Sequence, residues 1–322
     1  MAEPVRWGIL GTGAIAAAFA LDLAGAGSGR VVAVGSRSAG SAGRFADAFG
    51  IAGRHASYQA LVDDPDVEVV YVATPHPMHH AHARLALEHG KAVLVEKPFT
   101  MDAPEAADLV ATARARGLFL MEAMWTRFLP HIVEVRRLLA EGALGDVVTV
   151  IADHGQWFAE DRSSRLFAPE LGGGALLDLG VYPVSFASMV LGTPDRVRAI
   201  ADAAFTGVDA QTSVLLGHPG GAQAVLTCTL AAVGPTRAAV VGTEGRLEID
   251  HPFYAPAGLT VVPRTGAPVR IDPAHEGLGL RYEADEVARC LRAGQVESPW
   301  MPLDESVSVM ATMDEIRSQS AV

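Results

Sequence analysis

The chain has 322 residues, of which 50% are apolar and 19% charged, and its formal net charge is −12. At about 100–200 residues per domain this length predicts two domains, and the apolar fraction excludes an intrinsically disordered chain. The acidic balance argues against nucleic acid as a partner, because phosphate binding needs a basic surface, and it fits a soluble cytosolic protein.

Short apolar runs alternate with helical patterns over the first 123 residues. Strands are predicted at Val5–Leu10, Val31–Val34, Val67–Ala73, Lys91–Val95 and Leu118–Met121. Helices are predicted up to Leu23 and at Ala42–Phe49, His79–His89 and Pro104–Arg116. Since the strands lack polar alternation and helices separate them, they indicate a parallel sheet covered on both faces. Residues 1–123 are therefore predicted to form an α/β domain with a doubly wound Rossmann sheet.

After Trp125 the chain changes to strand-like runs separated by turn signals. Strands are predicted at Val147–His154, Val197–Ala204, Ser213–Leu216, Ala222–Thr229, Ala238–Val241 and Arg246–Asp250. Glycine-rich segments at 217–221 and 242–245 predict hairpins, and helices are expected at 131–140, 174–191, 281–292 and 304–318. Residues 124–322 are therefore predicted to form an α+β domain for substrate binding and dimerisation. Its mostly antiparallel sheet has an open face that could pair subunits.

Cysteine use and the apolar segments bear on location. Cys228 and Cys290 are too few for a disulfide scaffold and suggest a reducing compartment. No basic stretch precedes the first apolar run, so no signal peptide is expected. The apolar run from Leu10 to Ala26 is broken by Asp22 and glycines, so no membrane span is expected. A cytoplasmic protein is predicted.

The first strand runs into a Gly-x-Gly-x-x-Ala turn that opens a helix. The first glycine permits the tight turn, the second lets the backbone approach a pyrophosphate, and the helix N-terminus supplies N–H groups. Because the motif lies between strand and helix, it predicts dinucleotide binding rather than a turn that only packs. The candidate cofactor-binding residues here are Gly11, Thr12, Gly13, Ala14 and Ile15.

The end of the second strand indicates which dinucleotide binds. An NAD site usually has an acidic residue about 20 positions after the glycines, which binds the ribose 2′-hydroxyl. This chain instead has Ser36 and Arg37. A guanidinium beside hydroxyls suits a 2′-phosphate, so NADP is predicted in preference to NAD. The alternative is that Arg37 is only a solvated loop charge.

Two further polar segments follow buried strands, at the edge where such sheets bind ligands. Their candidate cofactor-binding residues are Thr74, Pro75, His76 and His79 in one segment and Glu96 and Lys97 in the other. A lysine directly after a buried strand is expected to be partly desolvated, which lowers its pKa and suits proton transfer. The alternative is an ordinary Lys-Pro turn.

A third segment carries Asp178 and Tyr182. In a helix these residues lie four apart on one face, where a phenol near the ammonium of Lys97 could exchange a proton during hydride transfer. The carboxylate would hold the lysine charged or orient the substrate. Pro183 favours a kink at Tyr182, because the residue before proline avoids helical angles. The alternative is a buried tyrosine with a satisfied hydroxyl.

The histidines between 76 and 82 could indicate a metal site. A zinc site needs three or four converging ligands, but His79, His80 and His82 point in different directions on one helix. No metal is predicted, and these side chains are expected to lie at the surface or to line the cleft.

Taken in order, the motifs resemble the Gfo/Idh/MocA oxidoreductase family. They are the glycine turn at 11–16, Thr74-Pro75 with His79, Glu96-Lys97-Pro98, and Gly172-Gly-Gly174 followed by Asp178 and Tyr182. Most members have histidine in place of Tyr182. Tyrosine there, with the segment 117–128, is similar to the dimeric dihydrodiol dehydrogenase and NADP-dependent D-xylose 1-dehydrogenase branch.

The resemblance implies roles for individual residues. Lys97 and Tyr182 would be the catalytic pair with Asp178 in support, and His79 would line the site. Substrate contacts would include Lys97, Trp125, Arg127, Phe128, Asp178 and Tyr182. The family resemblance also implies a homodimer or higher oligomer through the second domain's sheet.

The sequence thus predicts an NADP-dependent oxidoreductase. It would transfer hydride between the nicotinamide and an alcohol or hemiacetal carbon of a sugar, an aldose such as D-xylose, or of a cyclic trans-dihydrodiol. Two other hypotheses stay open: a dinucleotide-sensing regulator without turnover, and an NAD-dependent glycoside hydrolase. Retention of Lys97, Asp178 and Tyr182 argues against the regulator, and Arg37 argues against the hydrolase.

Overall fold

The computed structural model describes residues 3–319, which form two compact units. One unit extends through Phe128 and also takes in Glu276–Val307. The other comprises Leu129–His275 and the chain from Ser308 onward. These units differ from the two continuous segments 1–123 and 124–322, because residues 276–307 belong with the parallel sheet. The division into a cofactor domain and a substrate domain stays a prediction.

The first unit contains a six-stranded parallel sheet with the order β3-β2-β1-β4-β5-β6. Its strands are β1 (Val5–Leu10), β2 (Gly29–Gly35), β3 (Gly53–His55), β4 (Val69–Val72), β5 (Ala92–Glu96) and β6 (Leu120–Ala123). The connecting helices are α1 (Ala14–Leu23), α2 (Ala39–Phe49), α3 (Tyr58–Val62), α4 (His79–Glu88) and α5 (Ala103–Arg116). This strand order is that of dinucleotide-binding folds and confirms the predicted doubly wound sheet.

Aromatic packing fixes α1 on this sheet. The ring centroids of Phe19 and Tyr71 lie 4.0 Å apart, and those of Trp7 and Phe19 lie 5.2 Å apart. All three side chains have no exposed surface. Complete burial stabilises the fold by about 1.5–3 kcal/mol for a side chain of this class, so the start of α1 is held firmly beside β1.

The segment 276–307 contributes α8 (Arg281–Arg292), and a buried carboxylate attaches it to α1. Asp22 is 5% exposed and accepts hydrogen bonds from the backbone N–H groups of Leu278, Gly279 and Arg281, at 2.8, 2.9 and 2.9 Å. Three donors at the start of α8 are therefore satisfied by a side chain of α1. This is the physical reason why the segment joins the first unit.

The second unit contains an eight-stranded sheet with the order β14-β13-β12-β11-β7-β10-β9-β8. Its strands are β7 (Val147–Gly155), β8 (Arg196–Ala203), β9 (Asp209–Gly217), β10 (Gln223–Thr229), β11 (Ala238–Gly242), β12 (Gly245–Ile249), β13 (Leu259–Pro263) and β14 (Val269–Ile271). Only β7 and β10 pair in parallel among these described strands. The predicted mostly antiparallel sheet and both predicted hairpins are confirmed.

One face of this sheet is covered and the other is open. The remaining helices are α6 (Pro130–Ala140), α7 (Val181–Leu191) and α9 (Leu303–Gln319), and α7 packs on β7 and β10. Along β10, Ala224, Leu226 and Cys228 are buried while the residues between them are exposed. Among the described residues, the segment 169–191 is long and apolar enough to cross a membrane, but 83% of its most apolar stretch is buried inside the protein.

Candidate active site

The glycine turn lies between β1 and α1, as predicted. Gly11 has a φ of +112°, and a Cβ there would come within 2.6 Å of the Ala73 carbonyl oxygen, so only glycine fits. No side chain among the described residues caps the N-terminus of α1, and its first turn has no acidic residue. Gly13, Ala14 and Ile15 are exposed and Thr12 is half-buried. These free N–H groups at an accessible helix end fit a pyrophosphate.

At the end of β2, Ser36 is buried and Arg37 is exposed. Within residues 3–319 the Arg37 guanidinium has no hydrogen-bond or ion-pair partner. Ser38 caps α2 by accepting a hydrogen bond from the Ser41 N–H at 3.2 Å. An unpaired guanidinium with a fixed fork of donors fits the 2′-phosphate of NADP at this position.

His79 connects the loops that follow β4 and β5. Its Nδ1 lies 2.8 Å from the Pro98 carbonyl oxygen, and its Nε2 lies 2.8 Å from that of Thr74. Burial lowers the pKa of His79 to about 4, and the positive charge of Lys97 acts in the same direction. The neutral ring has one N–H and donates to one carbonyl at a time. His79 is fully buried, so its ring connects the two loops below the protein surface. Its predicted contact with a cofactor stays a prediction.

The other residues of the loop after β4 lie near the surface of the same edge. Pro75 is exposed, whereas Thr74 and His76 are 7% and 8% exposed. His76 begins a short 3-10 turn that leads into α4, and its ring meets that of His79 edge-on at 5.6 Å. The structure therefore brings the predicted residues after β1, β2, β4 and β5 to one edge of the parallel sheet.

Glu96 ends β5 and Lys97 follows it, half-buried, in a cis peptide bond to Pro98. The Glu96 carboxylate accepts the hydroxyl hydrogen of Tyr71 and lies 3.1 Å from the backbone nitrogen of Lys97. A second acid, Glu283, is fully buried nearby, and among the described residues neither of its oxygens has a hydrogen-bond partner. Burial, with the charges of Glu96 and Asp22, raises the pKa of Glu283. The protonated form of Glu283 is therefore favoured.

The predicted substrate residues of the first unit lie in a 3-10 turn at Trp125–Phe128. Trp125 is half-buried, and Phe128 is 7% exposed. Arg127 is 3% exposed and forms an ion pair with Glu305 at 2.7 Å. This buried pair fixes the turn against the start of α9, and a direct substrate contact of Arg127 stays a prediction.

Asp178 and Tyr182 lie in the second unit, on a helix with an irregular start. A π-helical turn at Leu176–Gly180 precedes α7, so Asp178 lies in the wider turn and Tyr182 in the first turn of the α-helix. Pro183 also lies in that first turn, where a missing N–H is tolerated. The irregularity that Pro183 predicted at Tyr182 therefore occurs one turn earlier. Such π turns are frequent at functional sites.

Partners from distant positions surround these two side chains. Asp178 is 5% exposed and accepts a hydrogen bond from Arg165 at 3.0 Å. The Tyr182 ring lies 5.2 Å from that of His154 and 5.0 Å from that of Tyr254. His154 and Arg165 were not predicted as site residues, because only the packing of β7 and its following loop on α7 brings them there.

The histidines near α4 do not form a metal site. Within residues 3–319 no group of three or more His, Cys, Asp or Glu side chains is arranged to hold a metal ion. His80 instead pairs with Asp108 at 2.7 Å, and the Nδ1 of His82 lies 3.0 Å from the Thr74 hydroxyl. The position of His82 at the edge of the cofactor region was not predicted.

Comparisons with known proteins match both units. A model described as "Oxidoreductase family, NAD-binding Rossmann fold" matches residues 5–124, and "GFO/IDH/MocA C-terminal domain" matches residues 132–248. Trans-1,2-dihydrobenzene-1,2-diol dehydrogenase of Bos taurus is 39% identical, over 97% of this chain and 96% of the relative. The Sus scrofa enzyme of the same name is 40% identical, over 99% and 97%. The chain belongs to the GFO/IDH/MocA oxidoreductase family.

Solved structures of other oxidoreductases share the fold over the whole chain. Aldose-aldose oxidoreductase from Caulobacter crescentus, complexed with glycerol, has a TM-score of 0.90 at 27% identity and covers 99% of this chain and 98% of its own. KijD10, a 3-ketoreductase from Actinomadura kijaniata in complex with NADP and TDP-benzene, has a TM-score of 0.86 at 29% identity with the same coverage. As a GFO/IDH/MocA member, the protein is an NAD(P)-dependent oxidoreductase, which confirms the predicted family, fold and enzyme class.

Proposed function

We propose that the protein is an NADP-dependent dehydrogenase of aldoses such as D-xylose or of cyclic trans-dihydrodiols. The observation that supports NADP is Arg37, an exposed and unpaired guanidinium at the end of β2, next to a helix N-terminus that is free for a pyrophosphate. The substrate classes are supported by relatives named as dihydrodiol dehydrogenases and as an aldose-aldose oxidoreductase.

The bound cofactor would supply the nicotinamide that accepts a hydride as a substrate C–H bond breaks. The residues of this chain would accept the proton that leaves the substrate hydroxyl. We assign this proton transfer to Lys97 and Tyr182, and the orientation of the substrate to Asp178. The burial of Asp178 and Tyr182 and the partners that reach them from distant positions support their part in this assignment.

The test is a turnover assay with both cofactors. Absorbance would follow the reduction of NADP and of NAD against aldoses, inositols and trans-dihydrodiols. We expect turnover with an aldose or a dihydrodiol and a preference for NADP that Arg37→Ala abolishes. Tight dinucleotide binding without turnover on any of them would overturn the proposal in favour of a regulator. An unchanged cofactor preference in Arg37→Ala would refute the 2′-phosphate assignment alone.

We also propose that the open face of the antiparallel sheet pairs two copies of the chain. In the strand register Val225 lies opposite Ile151 on one side and Leu215 on the other, and these side chains are 39%, 48% and 56% exposed. They form an apolar row across β7, β10 and β9 on the uncovered face. Contiguous exposed apolar residues of this kind are typical of interfaces between subunits.

The solution mass measures this pairing. Light scattering after gel filtration should give twice the chain mass for the wild type and one chain mass for Leu215→Asp. Val233→Asp is the matched control, because Val233 is 79% exposed but lies outside the sheet. A wild type of one chain mass, or a Leu215→Asp variant that remains dimeric, would contradict the proposed interface.

A cytoplasmic location is the last part of the proposal. Cys228 and Cys290 are both buried and free of disulfide bonds, which suits a reducing compartment. Fractionation of the source cells should recover the protein with cytosolic enzymes, and recovery in a secreted or membrane fraction would contradict this location.

A further inference from the structure

A second basic side chain lies at the same edge of the sheet as Arg37, close enough for the charge of Arg37 to act on it. His82 is half-buried in the first turn of α4, and its Nδ1 lies 3.0 Å from the hydroxyl of Thr74, the second residue after β4. The ring of Tyr58 meets that of His82 edge-on at 4.5 Å. The imidazole is therefore held from two sides. Within residues 3–319 its Nε2 has no partner.

The charges around His82 leave it without a counter-ion. The charged and titratable groups that face it are Arg37 from the end of β2, Tyr58 from α3 and His79 from its own helix. Burial lowers the pKa of His82, and the positive charge of Arg37 lowers it further.

The opposite side of α4 has its own acid. Asp108 of α5 lies 2.7 Å from His80 and 2.8 Å from Arg84, so its charge is already shared by two partners there. Arg37 and His82 are therefore two basic side chains at the edge where the cofactor region lies. The carboxylate of Asp108 is paired with other residues and does not neutralise them. An anion placed between Arg37 and His82 would satisfy both.

We propose that His82 binds the 2′-phosphate of NADP together with Arg37. Its Nε2–H donates to a phosphate oxygen, while the Thr74 hydroxyl fixes the ring through Nδ1. This inference rests on the proposed preference for NADP. It adds a second residue that distinguishes NADP from NAD. This residue lies after β4, whereas Arg37 lies after β2.

A consequence of this geometry is that NADP binding is coupled to proton uptake. Without the cofactor, Arg37 disfavours the imidazolium; with the phosphate dianion between them, the imidazolium is favoured. The affinity for NADPH relative to NADH should therefore rise as the pH falls from about 8 to about 6, the range over which histidine titrates.

The experiment measures dissociation constants of NADPH and NADH by fluorescence titration at pH 6 and pH 8. The proteins are the wild type, His82→Gln and His80→Gln; His80 is the matched control on the opposite side of the same helix. We expect His82→Gln to weaken NADPH binding about tenfold at pH 6 and less at pH 8, with NADH unaffected. The titration of the phosphate itself is common to all three proteins and cancels in the comparison.

The outcomes distinguish the proposed role of His82 from the proposed preference for NADP on which it rests. If the ratio of the NADPH and NADH dissociation constants is the same in His82→Gln as in the wild type at both pH values, the role of His82 is overturned. Loss of NADPH and NADH binding in equal proportion would also overturn it, since the residue would then only support the fold. If the wild type shows no preference for NADPH, the proposed NADP specificity fails, whatever His82 does.

Discussion

The two units of the protein place their polar side chains by different means. In the parallel-sheet unit, the candidate residues directly follow β1, β2, β4 and β5, so the ends of the strands bring them to one edge. In the antiparallel-sheet unit, Asp178 and Tyr182 lie on a helix over the covered face, and their partners come from β7 and its following loop. Topology alone positions the first group, whereas side-chain packing positions the second.

The largest expected effects are on kcat. They compare Lys97 of the parallel-sheet unit with Tyr182 of the antiparallel-sheet unit. Lys97→Met and Tyr182→Phe should each lower kcat by about 10²–10⁴-fold, because each removes only the atom that exchanges a proton. Phenylalanine keeps the ring that packs on His154 and Tyr254. Cofactor affinity, measured by titration, should change little in either variant. Full activity in Tyr182→Phe would show that Tyr182 is neither the acid nor the base.

A second comparison uses a buried acid of the parallel sheet. Glu122 of β6 is fully buried, and burial raises its pKa to about 7 from an ordinary 4.5, against the opposing effects of Ser306 and Arg127. As the pH rises from about 4.5 to about 7, the unfolded chain releases a proton that the folded protein retains. The free energy of unfolding should therefore fall through this window, by on the order of 3 kcal/mol.

In Glu122→Gln this side chain is uncharged in both the folded and the unfolded protein. The free energy of unfolding of this variant should therefore not show the fall expected of the wild type. Urea unfolding at pH 4.5, 6 and 8 measures it, with the exposed Glu244→Gln as the control. We expect the glutamine variant to gain stability relative to the wild type as the pH rises. Parallel stability curves for the two proteins would contradict the raised pKa.

A third comparison pairs two carboxylates that accept backbone N–H groups. Asp22 accepts three such bonds and is buried, whereas Asp153 in the other unit accepts two, from Thr236 and Arg237, and is half-buried. Asp22→Ala should lower the free energy of unfolding by about 2 kcal/mol and Asp153→Ala by about 1 kcal/mol. Hydrogen exchange at Leu278–Arg281 should rise in Asp22→Ala only. Unchanged exchange there would show that this carboxylate does not hold the segment.

The smallest effect concerns Arg165, whose side chain is 48% exposed and pairs with Asp178. Arg165→Met should change the free energy of unfolding by less than about 0.5 kcal/mol and lower kcat/KM by no more than about fivefold, because the Arg165 side chain is half in water, which screens its attraction to the buried Asp178 carboxylate. A loss as large as that of Tyr182→Phe would mean that Arg165 contacts the substrate itself.

Local patterns were sufficient to predict much of the parallel-sheet unit. Apolar runs indicated five of its strands, and the glycine turn with Arg37 indicated the cofactor edge. The three-residue strand β3 (Gly53–His55) and the five-residue helix α3 were missed, because both are too short to show a period. The cofactor edge was predictable because each of its residues directly follows a strand or opens a helix.

Other features that the sequence did not reveal depend on distant partners. The ion pair of Arg127 was not predicted, because its partner Glu305 lies 178 residues further on. His82 was expected at the surface or lining the cleft, and its relation to Arg37 was not predicted, because that relation exists only when α4 and β2 are placed on one sheet. The π turn before α7 likewise reflects packing that no local pattern specifies.

The carboxylate of Asp22 has a consequence for the order in which the chain can fold. The backbone donors that it binds lie 256, 257 and 259 residues after it. During synthesis, a chain that has emerged only through Phe128 has all six strands of the parallel sheet but leaves Asp22 without these partners. The six strands of the parallel sheet are therefore made early, but the unit that contains them is completed only when the segment Glu276–Val307 has been made, after the whole antiparallel sheet.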